Sequence, residues 1–91
     1  MQHVATNGVT LAAHEWPGRG PAVVAIHGLT SNHTVWYPIA EALAGSHRLV
    51  AYDLRGRGDS AKPAKGYGLA EHCVDLLGLL DHFGLERAIV A

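Results

Sequence analysis

Two short stretches of this chain hold the residue types from which a reaction site is built. His27-Gly28-Leu29 follows directly on the apolar run Ala22–Ile26. Asp53-Leu54-Arg55-Gly56-Arg57-Gly58-Asp59-Ser60 follows directly on Arg48–Tyr52. Imidazole, carboxylate and hydroxyl groups are the usual agents of acid–base and nucleophilic chemistry. A hydroxyl without a base is a poor nucleophile, and Ser60 has no His and Asp partners at suitable positions.

The remaining candidate motifs have simpler roles. Gly56-Arg57-Gly58-Asp59-Ser60-Ala61 matches a dinucleotide fingerprint, but that motif needs a helix starting at once. Pro63, Gly66 and Gly68 delay the helix here. Arg57-Gly58-Asp59 is also an adhesion tripeptide, a match common by chance. The seven histidines are His3, His14, His27, His33, His47, His72 and His82. None forms His-Glu-x-x-His and none pairs at i, i+4, so no metal site is expected. Apart from His27, they read as surface or capping residues. Asn32-His33-Thr34 is a glycosylation sequon, which means little without secretion.

Several elements must position these residues. Residues 2–6 and 9–16 are β-prone runs around Asn7-Gly8, the dipeptide of a type I′ hairpin. Ala22–Ile26 is continuously apolar and β-branched, as in a strand buried on both faces of a parallel sheet. A helix is predicted from about His33 to Ala44, with Trp36, Ile39, Ala40 and Leu43 on one face and Gly45 as its stop. Arg48–Tyr52 is the next buried strand. A loop over 53–66 precedes a helix from about Leu69 to Phe83, whose inward face is read as Leu69, Cys73, Leu76, Leu77 and Leu80. Cys73 on that face reads as a packed thiol. Residues 86–91 read as a final buried strand. The fold class is α/β: an N-terminal hairpin, then parallel strands with right-handed crossover helices.

Composition narrows the partners. The chain has 91 residues, 48% of them apolar, and a formal charge of −1. That is enough for one small domain and gives no electrostatic case for nucleic acid or a membrane surface. No segment is long enough to cross a bilayer and no secretory signal is visible. The single cysteine fits a reducing, cytoplasmic setting.

In that order, the His27-Gly28 loop, the Asp53–Ser60 turn and the 86–91 strand resemble the front of an α/β-hydrolase, a partial sheet of that fold. The spacing is most similar to lactonase, esterase, epoxide hydrolase and haloalkane dehalogenase relatives, to which the Gly58–Pro63 run is common. The resemblance implies several roles. Asp53, Gly56 and Gly58 would shape a turn, with Arg55 and Arg57 solvated beside them. Leu29 would donate its backbone N–H to an oxyanion, with His27 and Gly28 positioning the loop. Thr30, Ser31 and Trp36 would be substrate-pocket candidates. No metal or organic cofactor is implied. The nucleophile would lie about three residues beyond Ala91, with the acid and histidine later still. The chain is thus expected to be the N-terminal portion, 1–91, of a single hydrolase domain. It would be silent alone and would act on a small-molecule substrate when completed by a C-terminal companion segment. The alternative is a non-catalytic module that self-associates or binds a partner through its exposed last strand. An adhesion role is a distant third, in which Asp59→Glu would abolish cell attachment.

Overall fold

A computed structural model describes residues 1–28 and 31–91. Strands β1 (Gln2–Thr6) and β2 (Val9–Trp16) form the antiparallel hairpin. Its turn places Asn7 at φ 49° and Gly8 at φ 78°, the positive pair that a type I′ turn requires. Strand β3 (Ala22–Ile26), a 3₁₀ turn (His33–Trp36), helix α1 (Tyr37–Leu43) and strand β4 (Arg48–Tyr52) follow. Helix α2 (Leu69–His82) and the short β5 (Ile89–Val90) complete the described elements. The sheet order is β1-β2-β4-β3-β5. Strands β3, β4 and β5 run parallel, and β2 meets β4 antiparallel.

The two-residue period of the strands divides the core between the two faces of the sheet. Val4, Leu11, Val24, Val50 and Tyr52 pack with Leu79 and Phe83 on the α2 side. Val23, Ala25, Leu49 and Ala51 pack with Ala40, Trp16 and Trp36 on the α1 side. The central strands are therefore buried on both faces, which accounts for their unbroken apolar sequences.

The helices depart from the sequence expectations in instructive ways. The first turn of the 33–44 segment is 3₁₀, because the Asn32 side chain accepts from the Thr34 N–H at 2.9 Å and starts the turn tightly. Ile39 is exposed rather than inward, and Ala40 carries the contact. In α2 the inward face is Asp75, Leu79 and Phe83, flanked by Leu76 and Leu80. Leu69, Cys73 and Leu77 lie outside it, so the thiol is exposed rather than packed. The run Leu76-Leu77-Gly78-Leu79-Leu80 leaves two faces open to sequence reasoning. Two contacts settle the rotation. Asp75 must reach Arg55, and at Gly78 a Cβ would overlap the Thr6 side chain of β1. The last strand is also shorter than 86–91 and is not buried: Ile89 and Val90 are each 51% exposed at the sheet edge. Ala91 continues its ladder, donating to Val24 O and accepting from the Ile26 N–H.

Candidate functional site

The carboxyl ends of β3 and β4 lie side by side, with Ile26 opposite Tyr52. In parallel sheets this is where sites form. His27 and Asp53 are the next residue on each strand. Both are buried, at 5% and 0% exposure.

His27 ties the two strand ends together. The Leu54 N–H donates to His27 Nε2 at 3.0 Å. An amide N–H can only donate, so Nε2 carries the lone pair and Nδ1 the proton. Nδ1 then donates to Gly28 O at 2.5 Å, and Ser31 N–H reaches the same carbonyl at 3.1 Å. Leu29 and Thr30, the expected oxyanion donor and a pocket candidate, lie outside the described residues. Ser31 is half-buried beside them. Trp36 packs its ring against the core on the α1 side.

Asp53 organises the other strand end. Its Oδ1 accepts from the His33 N–H and from His33 Nδ1, each at 2.7 Å, and its Oδ2 accepts from the Asp59 N–H at 2.9 Å. Burial pushes this carboxyl up, but the Asp59 and His33 amides and the His33 ring outweigh it and hold it below the ordinary carboxylate range. Position 58 requires glycine twice over: its backbone is left-handed (φ 50°), and a Cβ there would overlap the Asp53 carboxylate. His33 is thus a buried member of this network, contrary to the surface or capping role expected from sequence. Its Nε2 accepts from the Tyr37 hydroxyl at 3.1 Å.

Ser60 is occupied structurally. Its hydroxyl donates to Asp53 O at 2.5 Å and accepts from the Ala12 N–H at 2.9 Å. The proton and a lone pair are committed to pinning the turn to the hairpin, so Ser60 is not poised for attack.

Arg55 corrects a second expectation. It is buried at 5% exposure, not solvated, and forks onto Asp75 of α2. Nε–Oδ2 is 2.6 Å and the second arm to Oδ1 is 2.7 Å, while a third nitrogen donates to Gly66 O at 2.9 Å. Asn7 of the hairpin turn donates to the same Asp75 at 3.1 Å. The Asp75 carboxylate raises the Arg55 guanidinium further above its ordinary value. The available sequence signal was a lone Asp inside the apolar stripe of α2, facing a turn with two arginines. Arg57 is half-buried and donates to Gly56 O at 3.1 Å. Among the described residues, no group of three or more His, Cys, Asp or Glu side chains is gathered to hold a metal ion.

A parallel-centred sheet with helices on both faces, and histidine and aspartate turns at adjoining strand ends, defines a class. This chain belongs to the α/β-hydrolase fold family, whose profile matches residues 21–91. It is 41% identical over 75 residues to epoxide hydrolase B of Mycobacterium tuberculosis, covering 79% of this chain and 21% of that protein. It is 35% identical over 82 residues to 2-(acetamidomethylene)succinate hydrolase of Mesorhizobium japonicum, covering 90% of this chain and 29% of that protein. The solved enol-lactonase of Burkholderia xenovorans superposes with a TM-score of 0.91 at 30% identity, covering 98% of this chain and 35% of that one. The chain thus spans roughly a fifth to a third of the length of these relatives.

Proposed function

We propose that residues 1–91 are the N-terminal portion of a single hydrolase domain that cleaves an ester, lactone or similar bond by nucleophilic attack. They supply the scaffold and one oxyanion donor, the Leu29 N–H. A companion segment supplies the nucleophile, acid and base, either on the same chain or as a partner. The observation that carries this reading is the pair of locked strand ends. His27 accepts from the Leu54 N–H and His33 binds Asp53, so the residues on either side of the proposed donor are tied to the end of β4. A backbone N–H fixed in advance stabilises a developing oxyanion without reorganising during reaction. Thr30 and Ser31 are the proposed pocket residues, and the chemistry calls for no metal or organic cofactor. The names of the relatives, an epoxide hydrolase, an enol-lactonase and a 2-(acetamidomethylene)succinate hydrolase, support the breadth of this class. An exposed Cys73 suits a cytoplasmic, reducing setting, and no described helix is long and apolar enough to cross a membrane.

The test is turnover of activated esters and lactones by the 91-residue chain alone and by the chain joined to a companion segment. Silence alone and turnover when joined support the proposal. Silence in both states counts against it. A second reading, a binding module, is favoured by one observation: β5 is an edge strand with two half-exposed apolar residues. Such an edge invites strand addition. A stable, monodisperse oligomer in light scattering, together with no gain of activity on completion, would favour this module.

A further inference from the structure

A second recess lies away from the strand ends, between β2 and the start of α1. It is an open groove of about 330 Å³ lined by His14, Glu15, Trp16, Tyr37 and Glu41. Its walls are aromatic and set at an angle. His14 stacks on His33 with centroids 4.1 Å apart and planes 15° apart, and Trp16 lies 27° from His14. Tyr37 stands across this tier, at 73° to Trp16 and 69° to His14, with its centroid 5.6 Å from Trp16. Two ring systems therefore meet as a corner. The phenol is held in place by its hydrogen bond to His33, itself anchored on Asp53.

The charges around this corner have one sign. Glu15 is paired with Arg48, and Arg48 is drawn to the far side of the sheet, where it meets Phe83. Glu41 remains as the exposed acid of the groove. Burial, and then the neighbouring His33, hold His14 below its ordinary value, so at neutral pH it adds no positive charge. No lining residue is cationic under those conditions. Ring faces carry negative quadrupole density and attract a desolvated cation, and angled aromatic walls with an acid at the rim suit a methylated ammonium head.

From this arrangement we infer that the Trp16–Tyr37 corner, with Glu41 at its rim, binds a small free alkylammonium compound. The lining residues come from β2 and α1, braced from behind by His33, and none of them is a proposed reaction residue, so binding here can be tested whether or not the hydrolase reading holds.

Choline is the probe, and 3,3-dimethylbutan-1-ol is its neutral, equally shaped control. Binding is read by ligand-observed NMR on the folded protein. Choline should bind at least tenfold more tightly than the alcohol, and Tyr37→Ala should weaken choline at least tenfold. Tyr37→Phe, which keeps the ring face, should stay within threefold of the parent. Glu41→Gln should weaken choline severalfold and flatten its salt dependence. Circular dichroism confirms that each variant is folded. Equal affinity for choline and the alcohol would overturn the inference, as would choline binding unmoved by Tyr37→Ala. Binding of phosphatidylcholine vesicles without binding of free choline would also overturn it.

Discussion

Removing one partner of the Arg55–Asp75 pair should unfold much of what the loop and α2 share. Arg55→Met deletes both arms to Asp75 and the bond to Gly66 O. Asp75 would remain at 1% exposure with Asn7 still donating to it. An uncompensated buried charge of this kind typically costs about 3–5 kcal/mol. The pair sits just beneath the surface of a small body, which favours the lower end, about 3 kcal/mol. Asp75→Leu strands the guanidinium instead and should cost a similar amount. The double variant removes both charges and leaves two apolar side chains at the same place. It should therefore be more stable than either single variant, within about 2 kcal/mol of the parent. Urea unfolding of the four proteins gives the cycle, with unchanged slopes required for a two-state reading. Additive losses in the double variant would refute the reasoning. So would a single variant costing under about 0.5 kcal/mol, the behaviour of a surface pair.

Other outcomes follow from individual contacts. Gly78→Ala lies inside a helix, where alanine ordinarily gains about 1 kcal/mol. Here it should lose about 1–3 kcal/mol through overpacking against Thr6, and a raised midpoint in thermal unfolding would contradict that. His27→Leu strands the Leu54 N–H and should cost about 1–3 kcal/mol, with faster hydrogen exchange at the Leu54 amide. Unchanged exchange there would exclude the strand-end tie. His14 is held below its ordinary value of 6.5 by burial and by His33, so the folded chain resists a proton that the unfolded chain accepts. Its contribution to stability is complete above that value and is lost as pH falls below it. Asp53 does not enter this window, because its depressed carboxyl begins to cost stability only below its own ordinary value of 3.8. Urea midpoints should drop between pH 7.5 and 5, and His14→Phe should flatten that slope; an equal slope in the variant would remove His14 as its source.

The sequence was most legible where local rules act alone. Asn7-Gly8 forces its turn, and the strands at 22–26 and 48–52 follow from apolar runs buried on both faces. The placement of His27 and Asp53 at adjoining strand ends follows from the same alternation of strands and helices. What sequence reasoning lost depended on tertiary partners. The face of α2 could not be chosen from four leucines around Gly78; Asp75 and Thr6 choose it. Arg55 looked solvated because its partner lies twenty residues away on another element. His33 resembled a cap because nothing local reveals Asp53 behind it. Only Asp75, a lone acid in the apolar stripe of α2, carried a local clue; Arg55 and His33 lie in polar stretches, and burial against a distant partner set their roles.

The proposed division of labour puts bond making outside residues 1–91. Trapping a covalent intermediate on the chain joined to its companion segment locates that step. A single turnover with an activated ester, quenched in acid and mapped by peptide mass spectrometry, locates the modified residue. The adduct should fall on a nucleophile outside residues 1–91 and not on Ser60, whose hydroxyl is committed to Asp53 O and the Ala12 N–H. An adduct on Ser60, or on any other residue of this chain, would contradict it.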